Sequence, residues 1–218
     1  MDDIDLVQIS GGALPQGRDR QSTIVLEPFE IATFAVTEEQ VAALIGRSAQ
    51  HPRRPAVDMS WQRAIRLCNA ASEWEGLDAA YTFDGEDVTW HADSDGYRLP
   101  TESEWEFACR AGSAAPHYGP LTEVAWSAAD GVSTPQNIGG KLPNLFGLFD
   151  MLGNTWEWCW DLFDPPRYGG RRTLRGGGYA DDQWSVSASA RRGGAPRMPL
   201  PDVGMRFARG SRDVDSAR

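Results

Sequence analysis

The chain has 218 residues, of which 41% are hydrophobic, and a formal net charge of −10 at pH 7. This length and apolar content predict one domain that can bury its own core. The acidic balance, with no basic stripe to offset repulsion from phosphates, argues against a nucleic-acid partner. No apolar run approaches the roughly 20 residues of a membrane span, and Met1 to Asp5 lack the features of a signal peptide. We therefore expect a cytoplasmic protein with no membrane partner.

The first half of the chain predicts short strands and two helices. Ser22 to Val36 is rich in β-branched and aromatic residues, which predicts one or two strands broken at Pro28. Thr37 to Gly46 follows as a short helix with Thr37 as its N-cap. Ser60 to Gly76 places apolar side chains at helical spacing behind a serine N-cap, which predicts a longer helix.

The middle of the chain predicts a hairpin and a third helix. Apolar residues alternate in YTF and VTW on either side of the turn DGED, a pattern typical of a β-hairpin. In PTESEWEFACRAG, Thr101 is placed as N-cap and Glu104 completes a capping box. From Gly112 onward the sequence indicates loops and short strands, with no internal repeat.

The cysteines predict neither disulfides nor a metal site. Cys68, Cys109 and Cys159 are an odd number and form no CxxC pair. Each is expected to be a small buried hydrophobic residue, and a reducing compartment fits this usage best.

Seven stretches carry a family resemblance: VQISGGALPQGR, VLEPFEIATFAVTEEQ, RPAVDMSWQRAIRLCN, GYRLPTESEWEFACRAG, PNLFGLFDMLGNTWEWCWD, LRGGGY and VGMRFAR. Taken in order from Val7 to Arg209, they resemble the formylglycine-generating enzyme domain, also called the sulfatase-modifying-factor family. The resemblance implies an α+β fold, a loop-rich variant of the C-type lectin fold with little regular secondary structure. We expect a single domain over residues 1–218, with a core from about 7 to 209 and a short C-terminal tail.

The segment DMLGNTWE resembles a calcium site of this family. The implied ligands are the Asp150 side chain, the Gly153 and Thr155 carbonyls and the Glu157 side chain. The chemistry agrees, because calcium takes six to eight hard oxygens and a Gly-Asn turn can aim backbone carbonyls inward. The alternative is a tight turn in which the two carboxylates are solvated or paired with arginine. The family's second calcium site lies in a preceding loop that matches poorly here.

The resemblance also implies a catalytic centre that this sequence lacks. Formylglycine-generating enzymes bind copper(I) through two cysteines beyond the RGG strand, and soft thiolates suit that ion. The matching region, Arg175 to Arg192, contains no cysteine, and the first catalytic position falls near Asp181. A carboxylate is a poor copper(I) ligand, so we do not expect a copper oxidase and predict no catalytic residue for one.

By resemblance, the residues between RGGGY and VGMRFAR form the exposed binding face of the lectin-like fold. The candidate ligand-binding residues are Tyr179, Asp181, Asp182, Trp184, Arg192 and Arg197. Flat aromatics supply contact area and charges supply specificity, which suits a protein or a small polar ligand. The first hypothesis is therefore a catalytically degenerate binding protein with a structural calcium ion. In some relatives retroelements diversify this segment into variable ligand-binding proteins.

Two further hypotheses stay open. The first is a nonheme iron oxidase built on Asp181 and Asp182 with His117, although the three histidines of the chain show no facial-triad spacing. The second is a purely structural partner domain in a larger complex.

Four charged residues are expected to act inside the fold. Arg191 and Arg206 match positions that the family keeps as internal arginines, so we expect them to pair with buried carboxylates or carbonyls. Glu104 and Glu106, which flank Trp105, are expected to pair in the same way.

Overall fold

A computed structural model describes residues 3–16 and 22–211 of the chain, so most of the predicted C-terminal tail lies outside the described residues. The helices are α1 Glu38–Leu44, α2 Trp61–Glu75, α3 Glu102–Arg110, α4 Leu121–Val124 and α5 Pro165–Tyr168. The strands are β1 Leu6–Ile9, β2 Gly12–Gln16, β3 Ser22–Leu26, β4 Phe29–Ala32, β5 Tyr81–Asp84, β6 Asp87–Trp90, β7 Ala125–Trp126, β8 Leu152–Gly153, β9 Trp156–Leu162, β10 Arg172–Arg175, β11 Arg191–Gly194, β12 Val203–Gly204 and β13 Ala208–Gly210. Long loops connect these short elements, so the predicted α+β, loop-rich class is confirmed. Within the described ranges, no helix has the length and apolarity needed to cross a bilayer.

Two sheets organise the strands. In the first, β4 lies between β1 and β13 and is antiparallel to both. The second has the order β11-β10-β9-β12, in which β12 runs parallel to β9 and the other neighbours are antiparallel. β2 and β3 form a two-stranded ribbon, as do β5 and β6, and β7 and β8 form a short parallel pair.

The predicted helix boundaries are confirmed. The Thr37 hydroxyl accepts the Gln40 N–H, and the Gln40 side chain accepts the Thr37 N–H in return. Thr101 and Glu104 form the same reciprocal box at the start of α3. Helix α2 begins after Ser60 and ends at Gly76, which adopts a left-handed φ of 70°. Because these signals act within four residues of chain, the sequence alone was sufficient to place them.

Hydrogen bonds from tryptophan N–H groups to backbone carbonyls connect strand β9 to distant parts of the chain in the aromatic core. The buried Trp158 donates from Nε1 to the Met59 carbonyl at 2.8 Å. Trp61 donates from Nε1 to the Cys159 carbonyl at 3.0 Å. These two indoles thus fill the core without leaving their polar atoms unpaired.

All three cysteines are buried free thiols, as expected. Burial raises the pKa of each thiol well above its ordinary value. The thiolate form, which is the nucleophile and the metal ligand, is therefore disfavoured at every cysteine.

Two glycines with similar left-handed backbone angles offer a matched test of the turn that follows β10. Gly177 has φ 81° and Gly46 has φ 67°. A Cβ on Gly177 would lie 2.7 Å from the Ser185 carbonyl oxygen and 2.9 Å from Val186 Cα, whereas at Gly46 nothing lies within 4 Å.

We predict that Gly46→Ala lowers the free energy of unfolding by about 1 kcal/mol, the cost of the left-handed angle alone. Gly177→Ala should lower it by about 3 kcal/mol or more, because the backbone must also move to remove the clash. Urea denaturation of both variants measures the difference. Equal losses would show that the turn after β10 can relax freely.

Candidate functional site

Four polar or aromatic side chains meet around Gly178, in the turn that follows β10. Asp181 Oδ2 accepts the Trp156 Nε1–H at 2.7 Å and the Gly178 N–H at 2.8 Å. Arg192 donates from Nη1 to Asp202 Oδ2 at 2.6 Å, and its guanidinium lies 5.8 Å from the centre of the Trp156 ring. The indole of Trp156 therefore contacts both a carboxylate and a guanidinium.

The local sequence explains this arrangement. Tyr179 donates its backbone N–H to the Asn154 carbonyl at 3.0 Å, which ties the turn to the loop before β9. Asp182 Oδ1 accepts the backbone N–H groups of Trp184 and Ser185, so it closes a tight turn by a short-range side-chain bond. This turn projects Trp184 outward, and 79% of its surface is exposed.

The structure brings most of the predicted ligand-binding residues together. Asp181 and Arg192 contact Trp156, Tyr179 lies in the same turn as Asp181, and Asp182 and Trp184 follow in the adjoining turn. Arg197 is not part of this group, because it forms an ion pair with the exposed Glu86 in the turn between β5 and β6.

Sequence reasoning missed two members of this site. Trp156 was not among the predicted binding residues, yet its N–H is the donor that fixes Asp181. Asp202, the partner of Arg192, was not singled out. The useful signal was that a buried indole N–H needs an acceptor. We call Trp156, Tyr179, Asp181, Trp184, Arg192 and Asp202 the Trp156 face.

The predicted calcium ligand Asp150 is buried and incompletely bonded. Its Oδ2 accepts the Gly139 N–H at 2.8 Å, whereas Oδ1 has no hydrogen-bond partner among the described residues. Burial raises the pKa of this carboxyl to about 6. Asp150 Oδ1 is therefore an open anionic oxygen of the kind that calcium prefers.

The second predicted carboxylate, Glu157, is already saturated. It is 1% exposed and accepts the Trp105 Nε1–H at 2.7 Å on Oε2. Arg206 donates to the same carboxylate from Nη2 at 2.8 Å and from Nε at 3.1 and 3.2 Å. Since a carboxylate offers about four lone-pair sites, Glu157 would have to release a hydrogen bond to ligate a metal ion.

The predicted calcium set therefore fits at Asp150 and does not fit at Glu157 in this arrangement. The Gly153 carbonyl also accepts a hydrogen bond, from the Thr155 N–H at 2.7 Å. Glu157 matches the alternative that the sequence left open, a carboxylate paired with arginine. Within the described residues, no group of three or more His, Cys, Asp or Glu side chains is placed to hold a metal ion.

The expected pairing of internal charges is confirmed for three of four residues. Arg206 pairs with Glu157, Glu104 accepts two N–H groups from Arg98 at 2.7 Å each, and Glu106 pairs with the buried Arg175. Arg191 differs, because its side chain is 43% exposed and pairs with Glu102 at the surface. Its place in the sequence resembled an internal position, but β11 lies at the edge of its sheet.

Comparison with known proteins agrees with this architecture. The family model of the sulfatase-modifying factor enzyme 1-like domain matches residues 3–211. The chain belongs to the sulfatase-modifying factor enzyme 1-like family. This family member is 29% identical to the chaperone protein LppX of Paenibacillus barcinonensis over 80% of the chain and 78% of the relative.

Two other similarities place this family member more closely. It is 32% identical to the formylglycine-generating enzyme of Streptomyces coelicolor over 56% of the chain, and the match spans about half of that enzyme, 49%. Its structure is similar to that of Treponema denticola variable protein 1, with a TM-score of 0.86, 25% identity, and coverage of 94% of this chain and 95% of the other. The predicted fold, the formylglycine-generating-enzyme variant of the C-type lectin fold, is confirmed.

We predict strong coupling between Glu157 and Arg206. Glu157→Gln should lower the free energy of unfolding by about 3–5 kcal/mol, because it leaves a buried guanidinium without its counter-charge. In a double-mutant cycle with Arg206→Met, the two losses should depart from additivity by at least about 1 kcal/mol. Urea denaturation of the two single variants and the double variant measures this coupling.

The exposed pair Arg197 and Glu86 provides the control. Glutamine at both positions should change the stability by less than about 1 kcal/mol. Additive losses of stability at Glu157 and Arg206 would contradict the predicted coupling of this ion pair.

Proposed function

We propose that this family member is a binding protein, that its Trp156 face holds a protein or small polar ligand, and that it lacks the copper-dependent oxidase chemistry of formylglycine-generating enzymes. The main observation that supports this proposal is the hydrogen bonding of Asp181. It stands where the resemblance puts the first copper thiolate, and Trp156 and Gly178 both donate to it. A carboxylate committed to two such donors suits recognition better than it suits copper(I).

The remaining thiols support this proposal. Cys68, Cys109 and Cys159 are all buried with raised pKa values, and none belongs to the Trp156 face. A substrate thiol at this face would meet oxygen and nitrogen groups. Such groups do not supply the soft ligands that copper(I) requires.

The composition of the face supports binding. The exposed Trp184 indole offers a large, rigid contact surface, and the carboxylates and Arg192 offer directional polar contacts beside it. Similarity to a variable protein and to a chaperone protein favours a partner-binding role over small-molecule turnover. Diversification of the segment from Asp181 to Arg197 stays a prediction, as does a role as a structural partner domain.

The nonheme iron alternative is retained as a prediction without a supporting cluster. His117 lies in the loop after α3, and its Nε2 has no hydrogen-bond partner among the described residues. No hydrogen bond or ion pair joins His117 to Asp181 or Asp182 among the described residues. Oxygen consumption by the metal-loaded protein distinguishes this hypothesis from the binding protein.

The Trp156 face can be tested with a displayed random-peptide library. We predict that peptides enriched on the full chain lose binding by about tenfold or more in Trp184→Ala and Asp181→Asn, because each removes a central contact. Trp74→Ala is the matched control, since Trp74 is 56% exposed on helix α2, away from the face. Enrichment that survives both face variants would place binding elsewhere on the molecule.

An oxygen electrode tests the second half of this proposal. Copper-loaded or iron-loaded protein should consume no more oxygen with cysteine peptides than the metal alone. Protein-dependent oxygen uptake would overturn the proposal and favour a metal oxidase.

A structural calcium ion is part of the same proposal. Asp150 Oδ1 would be its open ligand, with the Gly153 and Thr155 carbonyls beside it, and Glu157 would join by exchanging one hydrogen bond from Arg206. When bound, the ion would neutralise the buried Asp150 carboxylate and hold the loop before β9.

The raised pKa of Asp150 predicts how the stability of the protein changes with pH. The folded-state pKa of about 6 lies above the ordinary value of 3.8, so the folded chain retains a proton that the unfolded chain releases. Stability contributed by this group is therefore lost as the pH rises from about 4 to about 6. Without calcium at pH 7, Asp150→Asn should be more stable than the wild type, by up to roughly 3 kcal/mol.

Calcium should remove most of that difference. At a concentration 100 times its Kd it should stabilise the wild type by about 2.7 kcal/mol and leave Asp150→Asn nearly unchanged. Thermal melts with EGTA and with calcium, at pH 4.5 and pH 7, give all of the values needed. An identical response of both proteins to calcium would remove Asp150 from the site.

A further inference from the structure

A separate cleft of about 1090 Å³ lies between strand β2 and helix α3. Ala13, Leu14 and Pro15 line one side, and the face of α3 that carries Glu102, Glu106 and Arg110 lines the other. Ser189 and Arg191 border it, and none of its lining residues belongs to the Trp156 face. We call it the α3 cleft.

A fixed network of charges builds the helical side of the α3 cleft. Glu102 accepts from Arg191 Nη2 at 2.7 Å and lies 3.5 Å from the Nε of Arg175. Glu106 pairs with Arg110 at 2.7 Å and also with Arg175. Three guanidinium groups thus share two glutamates. The next carboxylate, Asp161, accepts the Glu102 N–H at the start of α3 at 2.6 Å.

The buried Arg175 also positions the border of the cleft. It donates from Nη2 to the Ala188 carbonyl at 2.8 Å and from Nη1 to the Ala190 carbonyl at 2.7 Å. Ser189, between these two anchored residues, is exposed and lines the cleft, and Arg191 follows in the same way. The segment that presents these two side chains is therefore held from behind by a single rigid guanidinium.

Arg191, at the border of the α3 cleft, has hydrogen-bond donors that are not used within the fold. A guanidinium has five N–H donors. Arg191 directs Nε and Nη2 to Glu102, and Nη2 also to the Phe163 carbonyl. Both N–H groups on its Nη1 have no hydrogen-bond partner among the described residues. The site thus presents a charged donor, with a serine hydroxyl beside it, to which an anionic acceptor can bind.

The opposite side suits an extended chain. Within the described residues, the sole strand neighbour of β2 is β3. The other edge of β2 has no strand partner in the described ranges, and Ala13 to Pro15 line the cleft. Phe107 and the Pro15 ring add apolar surface. An extended peptide can pair with such an edge and place side chains against these groups.

We propose that the α3 cleft binds an extended peptide through a carboxylate, which Arg191 Nη1 receives while the peptide backbone lies along β2. The carboxylate can be the C-terminus of the peptide or an acidic side chain. This site is independent of the Trp156 face, so it stands or falls without the proposed binding role of that face.

Three small probes separate the contributions. N-acetyl-alanyl-alanine carries a C-terminal carboxylate, N-acetyl-alanyl-alaninamide carries none, and N-acetyl-glutamyl-alaninamide carries a side-chain carboxylate. Titrated into the full ¹⁵N-labelled chain, at least one acid should shift the backbone amides of Ser103, Ser113, Ser189 and Arg191. It should bind at least about tenfold more tightly than the amide, because the bond to Arg191 is charge-assisted.

Three variants locate the binding. Ser189→Trp fills the cleft from an exposed position and should abolish the shifts, and Arg191→Gln should bring the acid down to the affinity of the amide. Arg197→Gln, which alters another exposed arginine paired with a glutamate, should leave binding unchanged. The amide spectrum of each variant confirms its fold.

Three outcomes would overturn the proposal. One is equal affinity of acids and amide, and another is retention of binding in Ser189→Trp. The third is the absence of saturable shifts at the cleft with all probes at roughly 50 mM, well above the Kd of even a weak millimolar complex.

Discussion

A single buried guanidinium holds this loop-rich fold together. Arg206 is fully buried and pairs with Glu157 of strand β9. It also donates to the carbonyls of Ala32 and Thr33 at the end of β4, and to that of Phe149 in the loop before β8. Three separate segments therefore converge on one side chain. The desolvation cost of such a pair is offset only when its geometry satisfies nearly every donor, as it does here.

The ion pair of Glu157 with Arg206 also explains where the Trp156 face lies. Trp156 and Glu157 are neighbours on β9, so their side chains point to opposite sides of the strand. Glu157 is turned toward Arg206 in the interior, while Trp156 is turned toward Asp181 in the turn after β10 and Arg192 of β11. The same strand thus carries the most buried ion pair on one side and the candidate recognition surface on the other. A disturbance of the ion pair would be transmitted to the face through one peptide unit.

The sequence was sufficient wherever the deciding contacts are local. The Thr101 capping box spans four residues, and the hairpin of β5 and β6 follows from alternation around one turn. The family resemblance supplied the overall fold and the segment that contains Asp181. It could not supply the pairing of Arg197 with Glu86 or of Arg192 with Asp202, because these depend on how unrelated loops meet in space. The sequence did not predict the α3 cleft for the same reason, since its two sides come from distant parts of the chain.

The position of β4 has a consequence for biosynthesis. β4 lies between β1, which precedes it closely, and β13, which begins at Ala208. A strand at the centre of its sheet thus waits for a partner almost 180 residues later, since Glu30 pairs with Arg209. Long-range pairing of this kind slows folding and leaves unpaired edges exposed in the meantime. On the ribosome, the first sheet must remain incomplete until nearly all of the domain has emerged. A nascent chain of this design therefore keeps one edge of β4 without its partner for most of its synthesis.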